Sequence, residues 1–304
     1  MRTHSRQKGV ALIISLVTSI ILALIVSYFV WHSQQIIKTQ FLMQNKISAE
    51  LEADSVLSHA IFDFVKHRSE LANNTITTKY PGWNLYGKPF ILSSGTSLSI
   101  RSEASKISLI PTDYQLIELL LRGIIEDEIE GRATNNIKID QIIARLKDWQ
   151  DSDQFVNLNG LEEDGYSRLG LLKPRGFYIQ SIDELMLIHG FEQAWLDKIR
   201  DHVSLFTLAD FNVRLSPKQL IEWLYNSEQA AVIAEQRGEE SVLSHLKRVS
   251  PLLSQQSIEN KLIQTIELEV NISLDQIKVV KKVVFSTKVA LDSPYPYEIW
   301  HWES

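Results

Sequence analysis

The sequence has 304 residues, a formal net charge of −6 at pH 7, 44% hydrophobic residues and no cysteine. The lack of cysteine excludes disulfides, thiol catalysis and cysteine-ligated zinc, and the acidic balance argues against a nucleic-acid partner, which would require a basic surface. The length is sufficient for one or two domains with a hydrophobic core.

The longest apolar segment is Val10–Trp31, which contains no ionisable side chain. At about 1.5 Å rise per residue, a helix of this length covers roughly 33 Å, enough to cross a hydrocarbon core of about 30 Å. Arg2, Arg6 and Lys8 precede it, and no Lys or Arg follows until Lys38. The positive-inside rule therefore predicts a single-pass anchor with a cytoplasmic N-terminus and the rest of the chain across the membrane.

The residues before this segment resemble a type IV prepilin leader. A secretory signal has an apolar region of about 7–15 residues and an A-x-A-like site, whereas this segment is longer and lacks such a site. The apolar block instead begins directly after Lys8-Gly9, as in prepilins, whose mature chains keep the apolar helix. The resemblance implies cleavage between Gly9 and Val10 by a prepilin peptidase, and N-methylation of Val10. An uncleaved anchor is the alternative.

The fifth residue of the mature chain would be Ile14, where most pilins and pseudopilins carry glutamate. That carboxylate is thought to neutralise the N-terminal amine of a neighbouring subunit. A subunit at the filament tip has no such neighbour, and burying an unpaired carboxylate in lipid costs several kcal/mol. In this respect the chain is similar to the K-type minor pseudopilins of type II secretion systems, also called general secretion pathway protein K.

The helical pattern continues beyond the membrane segment to near His67. Seven apolar residues share about 120° of the helical wheel, which predicts a face that is buried by a sheet: Leu42, Ala49, Ala53, Leu57, Ala60, Ile61 and Phe64. The alternative, an independent juxtamembrane helix or coiled coil, would require a heptad repeat that this stripe lacks.

After the breakers Asn73-Asn74 and Pro81-Gly82, a period of two predicts strands at 88–92, 98–101 and 106–110. Strands return near the C-terminus, at 266–270, 278–287 and 295–300. An antiparallel sheet that covers the second half of a long helix is the pilin arrangement.

Residues 112–257 return to a helical period and predict an inserted all-α domain. Four helix starts are marked by Asp113, by Asn136 or Asp140, by the Ser181–Glu184 capping box and by Ser216-Pro217. Three tryptophans are predicted core residues of the insert: Trp149, Trp195 and Trp223. The polar stretch 226–238 is predicted to be a solvated helix or a loose loop.

The predicted fold class is therefore α+β, with a long transmembrane helix packed on an antiparallel pilin-like sheet. The predicted division is a leader (1–9), a transmembrane helix (10–31), the periplasmic half of the pilin helix (32–70), the first part of the sheet (71–111), the inserted domain (112–257) and the second part of the sheet (258–304).

Four local patterns resemble the K-type family in the order that the family has them. Asp148–Asp153 followed by Asn159–Tyr166 resembles its D-W-x-D-x-D … N-G-x-E-x-x-x-Y block. Ser181–Leu185 with Gly190 resembles its S-x-D-E-L-x-x-x-x-G helix. Asn212-Val213 resembles the start of its I-N-V-N-T-A turn, from which 214–216 depart, and 294–303 resemble its closing strand.

The acidic loop in the first of these patterns is the candidate site. Its carboxylates and amides place up to eight oxygen donors within 17 residues, and calcium prefers about six to eight oxygens in irregular geometry. The spacing is not that of an EF-hand, so a merely solvated acidic loop is the alternative. Resemblance to K-type pseudopilins, which bind calcium, favours a structural calcium site with seven candidate ligands: Asp148, Asp151, Asp153, Asn159, Glu162, Glu163 and Asp164.

No nucleophile motif, P-loop, dinucleotide fingerprint or H-E-x-x-H pattern is present, which argues against an enzyme. Leu185–Gly190 hints at a DNA-backbone module, but Phe191-Glu192 replaces its second glycine and the neighbourhood is acidic.

The resemblance implies a non-enzymatic minor pseudopilin in the bacterial inner membrane. It would act at the pseudopilus tip with I-, J- and H-type minor pseudopilins, in protein export across the outer membrane. A membrane-anchored periplasmic enzyme and a type IV pilus minor subunit are the alternatives.

Overall fold

The computed structural model describes residues 7–71, 83–126, 132–207, 210–225, 264–274, 277–288 and 293–303. In these ranges a long apolar helix accompanies a five-stranded antiparallel sheet and a group of shorter helices. The predicted combination of helix and sheet is therefore confirmed. The predicted breakers at 73–74 and 81–82 and the polar stretch 226–238 lie outside the described residues.

Helix α1 comprises 65 residues, Gln7–Leu71. It is long and apolar enough to cross a membrane and is therefore a candidate anchor near the N-terminus. Hydroxyl groups in its apolar part donate to carbonyls of the preceding turn, as from Ser19 Oγ to Ser15 O at 2.8 Å. These bonds keep the polar side chains satisfied without water.

The sheet contains β1 (Phe90–Ser93), β2 (Thr96–Ser102), β5 (Thr265–Leu274), β6 (Ile277–Ser286) and β7 (Glu298–Glu303) in the order β1-β2-β5-β6-β7. All four neighbouring pairs are antiparallel. β2 and β5 are adjacent, although residues 103–264 separate them in sequence. Among the described residues, the chain leaves the sheet after Ser102 and is next part of it at Thr265.

The second half of α1 packs on one face of this sheet. Six residues of the predicted stripe are buried there: Ala49, Ala53, Leu57, Ala60, Ile61 and Phe64. They contact alternate residues of the central strands, among them Ile100, Leu268 and Phe285. Leu42, the seventh residue of the stripe, is exposed because it lies before the stretch that contacts the sheet.

Two polar contacts attach α1 to the same face. Asp54 Oδ1 accepts a hydrogen bond from Lys281 Nζ at 2.7 Å, and Glu52 Oε1 accepts one from Thr96 Oγ1 at 3.0 Å. Lys281 is buried among apolar residues of β6, so Asp54 provides the counter-charge that its burial requires.

The predicted strand 106–110 does not belong to the sheet. Ser102 Oγ accepts from Ala104 N at 3.2 Å and caps a short 3₁₀ turn, Glu103–Ser105, which turns the chain away from β2. The next strand, β3 (Ile107–Ser108), pairs in parallel with β4 (Val203–Ser204). The region between β2 and β5 is thus mainly helical in its described part, but it is not all-α.

The helices of this region are α2 (Tyr114–Glu126), α3 (Arg132–Gln150), α4 (Glu163–Arg168), α5 (Gln193–Ile199) and α6 (Lys218–Leu224). They enclose a second core that includes Trp149, Trp195 and Trp223 as predicted. Asp113 Oδ1 accepts from Leu116 N at 3.1 Å and caps α2.

Two of the predicted helices differ in detail. α3 begins earlier than Asn136, and the Ser181 capping box starts a 3₁₀ helix, Ile182–Leu187, instead of an α-helix.

A buried ionic cluster joins the helical region to the sheet. Lys106 Nζ lies 3.0 Å from Glu103 Oε1 and 2.5 Å from Glu267 Oε2, and all three residues are buried. Ser204 Oγ donates to the second oxygen of Glu103. Glu267 belongs to β5 and Ser204 to β4, so the cluster connects the two parts through the turn that follows β2.

Candidate metal centre

Asp148 lies in the last turn of α3, and its side chain is fully buried. Its Oδ1 accepts hydrogen bonds from the backbone N of Asn157, at 3.2 Å, and from the Asn157 side-chain amide. Its Oδ2 has no hydrogen-bond partner among the described residues. An uncompensated oxygen on a buried carboxylate is costly unless a cation binds it.

Two more carboxylates converge on Asp148. Asp151 directly follows α3 and Glu162 directly precedes α4. One carboxylate oxygen from each of the three residues lies within 4.8 Å of the others. Asp151 Oδ1 and Glu162 Oε1 are also buried without a hydrogen-bond partner in the described part of the chain. The three residues therefore offer oxygens to one small volume without a donor to satisfy them.

The loop between α3 and α4 folds back closely over these carboxylates. Asn159 has a φ of 68°, and Gly160 N donates to Asn157 O at 2.7 Å. A Cβ at position 160 would lie only 1.9 Å from Asp148 Oδ2. Only glycine allows the loop backbone to approach the carboxylate in this way.

The crowding shifts the pKa values of the carboxyl groups. Burial, together with the charges of Asp148 and Asp151, raises the pKa of Glu162 from 4.5 to about 7. Burial and the charges of Asp153 and Asp148 also raise the pKa of Asp151. Both causes disfavour ionised carboxylates when no cation is present.

The other four predicted ligands lie outside this group of three. Asp153 is exposed, and its Oδ1 accepts from Phe155 N at 2.8 Å. Glu163 forms an ion pair with Lys173. Asn159 and Asp164 are exposed. The side chains of these four residues are therefore not among the converging oxygens.

The donor set suits a hard cation. Calcium binds carboxylate and carbonyl oxygens at about 2.3–2.6 Å and tolerates irregular geometry, whereas magnesium keeps most of its waters. Asp148, Asp151 and Glu162 would supply the charge, and further positions would be taken by loop oxygens or water.

A further buried carboxylate, Glu184, contacts Trp149 beside this centre and was not a predicted site residue. Its Oε1 accepts from Trp149 Nε1 at 2.9 Å and from Arg175 Nε at 2.7 Å, and its Oε2 accepts from Arg175 Nη2 at 3.0 Å and from Gln180 N at 3.1 Å. Burial alone would raise the pKa of Glu184, but these hydrogen bonds outweigh it and lower the pKa. The group is therefore ionised at neutral pH. The S-x-D-E-L pattern was the available sequence signal.

The predicted cleavage site lies on a different element from this centre. Gly9 and Val10 lie in the first turns of α1, and Val10 is exposed.

Comparison with known protein families finds a match within the helical region. Residues 129–207, which contain all of the acidic loop, match the family model described as "Type II secretion system (T2SS), protein K". No curated protein matches the sequence. A chain of the crystal structure of the GspK–GspI–GspJ complex from the enterotoxigenic Escherichia coli type 2 secretion system aligns at 12% identity with a TM-score of 0.44, covering 84% of this chain and 98% of that one. The family match therefore covers α3, α4, α5 and the acidic loop between α3 and α4.

Proposed function

We propose that this protein is a minor pseudopilin that caps the tip of the type II secretion pseudopilus and supports its assembly and protein export across the outer membrane. The observation that carries the proposal is the match of residues 129–207 to protein K, in a chain whose long apolar helix packs under an antiparallel sheet. Its role is structural. The helical region between β2 and β5 acts as an inserted domain. The tip of the pseudopilus has room for this domain because no further subunit is stacked above it.

The partners of the proposed assembly are I-, J- and H-type minor pseudopilins. The exposed apolar side chains of α1 continue past the membrane segment, at Ile37, Phe41, Met43, Ile47 and Leu51. Such a surface suits packing against the N-terminal helices of neighbouring subunits more than contact with water. Assembly would thus begin in the inner membrane, with the rest of the chain in the periplasm.

Processing by prepilin peptidase tests the pseudopilin assignment. The scissile bond follows Lys8-Gly9, so mass spectrometry of the mature membrane protein is expected to show an N-terminus at Val10, heavier by one methyl group. Gly9→Leu is expected to leave the precursor uncut, whereas Ala11→Ser, after the bond, should be processed. An intact Met1 in the wild-type protein would contradict the assignment.

The position at the tip is tested at Ile14. Glutamate there would place a charge within the apolar membrane segment with no partner above it, and an unpaired charge inside a membrane segment is costly. Ile14→Glu is therefore expected to reduce co-purification with the other minor pseudopilins by about tenfold or more, while the control Ile14→Leu remains near wild type. Equal or better assembly of Ile14→Glu would indicate an ordinary contact with a neighbouring subunit at this position.

The acidic centre is proposed to bind one structural calcium ion through Asp148, Asp151 and Glu162. Three buried oxygens that accept no hydrogen bond from the described residues support this proposal more directly than the number of acids in the loop. The ion would connect the end of α3 to the start of α4 and thereby fix the loop between them. The cation would also offset the mutual repulsion that raises the pKa of Glu162.

A further inference from the structure

The end of α3 is also held by a segment outside the acidic loop, residues 175–184. Trp149 follows Asp148 directly, and its indole Nε1 donates to Glu184. Trp149 O also accepts from Gly176 N at 3.0 Å. Arg175, the residue before this glycine, contributes two of the four hydrogen bonds that Glu184 accepts. Backbone and side chain of Trp149 are therefore both fixed by the segment that Glu184 holds.

The same tryptophan also connects to the third carboxylate. Its ring packs edge-on against Tyr166, with the ring centroids 5.4 Å apart. Tyr166 N donates to Glu162 O at 3.0 Å, in the first turn of α4. Both rings are buried, with Trp149 at 2% and Tyr166 at 0% exposure. A contiguous set of contacts thus leads from Glu184 through Trp149 and Tyr166 to Glu162.

The segment held by Glu184 also contacts the remaining carboxylate residue. A Cβ at Gly176, whose φ is 63°, would lie 3.2 Å from Asp151 O. Residues 175 and 176 therefore lie directly against the backbone of Asp151. The backbone that carries the three converging carboxylates is therefore contacted by Trp149, Tyr166 and residues 175–176.

We infer that Glu184 is a positioning residue for the metal centre, which sets the affinity for calcium without touching the ion. The inference rests on the proposed calcium site and assigns a role to the acidic residue of the S-x-D-E-L pattern. Glutamine at position 184 would keep the shape of the side chain but would present an amide where Arg175 or Gln180 N must donate. The substitution would weaken the hydrogen bonds that hold the end of α3, while the volume of the side chain at position 184 would hardly change.

The experiment measures calcium affinity by titration calorimetry on the full chain in detergent, together with melting in chelator. Glu184→Gln is expected to weaken calcium binding by about tenfold or more, which is the usual effect of removing groups that support metal ligands. Asp183→Asn is the matched control, because Asp183 is the exposed neighbour and pairs only with Arg200 among the described residues. The control is expected to bind calcium within about twofold of wild type.

The outcomes separate the positioning role from a structural one. A merely structural role would lower the melting temperature in chelator and leave the dissociation constant unchanged, and this result would overturn the inference. If Glu184→Gln gives no cooperative melt, the test uses Arg175→Lys instead. This variant keeps the positive charge but loses the two hydrogen bonds that Arg175 donates to Glu184. Unchanged calcium affinity of Arg175→Lys would also overturn the inference. Absence of calcium binding by the wild type would instead refute the metal site itself.

Discussion

Removing calcium is expected to lower the melting temperature of the protein by about 5–10 °C. An ion that binds only the folded state stabilises it by about 2.7 kcal/mol at a hundredfold excess over Kd, and each kcal/mol shifts the melting temperature by about 2–4 °C in a domain of 150–250 residues. Magnesium should not replace calcium, because it loses its waters reluctantly. The measurement is a thermal melt in calcium, in magnesium and in chelator.

Substitutions separate the converging oxygens from the rest of the acidic loop. Asp148→Asn with Glu162→Gln should abolish the calcium shift, whereas Asp153→Asn with Asp164→Asn should retain it. The first double variant should also melt no lower than wild type in chelator, because it removes buried like charges. Identical melts of the wild-type protein in all three conditions would contradict the calcium proposal and favour a solvated loop.

The sign of the pH dependence follows from the raised pKa of Glu162. Between its ordinary value of 4.5 and about 7, the folded state without calcium holds a proton that the unfolded chain has lost. Rising pH through this range therefore destabilises the calcium-free protein. Calcium should remove most of this dependence.

Lys106→Met is expected to destabilise the protein by about 3–5 kcal/mol, because it removes the buried cation that Glu103 and Glu267 share. The corresponding shift in melting temperature is about 6–20 °C. Lys218→Met is the matched control. Its ion pair with Glu222 is exposed, and such pairs contribute about 0–1 kcal/mol. Equal effects of the two substitutions would show that the buried cluster does not hold the helical region on the sheet.

The same cluster predicts sensitivity to acid. Burial alone would raise the pKa of Glu267, but the charges of Lys106 and Arg101 outweigh it and lower the pKa to about 2. Its contribution to stability is therefore fully present above the ordinary value of about 4.5 and is lost as the pH falls from there toward 2. Glu267→Gln should reduce the loss of stability across this range in pH-dependent denaturation.

The sequence was most informative where a periodic pattern meets a large apolar surface. Six residues of the α1 stripe are buried against the sheet, and the strands of the C-terminal half lie near their predicted positions. Residues 106–110 alternate like a strand, yet the cap of Ser102 on the turn at Glu103 removes them from the sheet. That hydrogen bond spans two residues and leaves no periodic signal.

The composition of the acidic loop predicted a cation site but did not show which of the seven candidate ligands lie close together. Seven residues could have been ligands, and the choice among them depends on the direction in which each side chain leaves the backbone. Asp148 faces inward because it lies on the buried side of α3, and Gly160 leaves space for its carboxylate. Asp153 instead caps its own loop. The hydrogen bond from Trp149 to Glu184 joins residues 35 positions apart, so local spacing in the sequence could not reveal it.

Export measured in a strain that lacks this chain tests the proposed function most directly. Proteins destined for the medium should accumulate in the periplasm of the deletion strain, as quantified by mass spectrometry of the two fractions. The wild-type chain should restore their export, and Gly9→Leu, which is expected to remain unprocessed, should not. Normal export by the deletion strain would contradict the account of this protein as a component of the secretion pseudopilus.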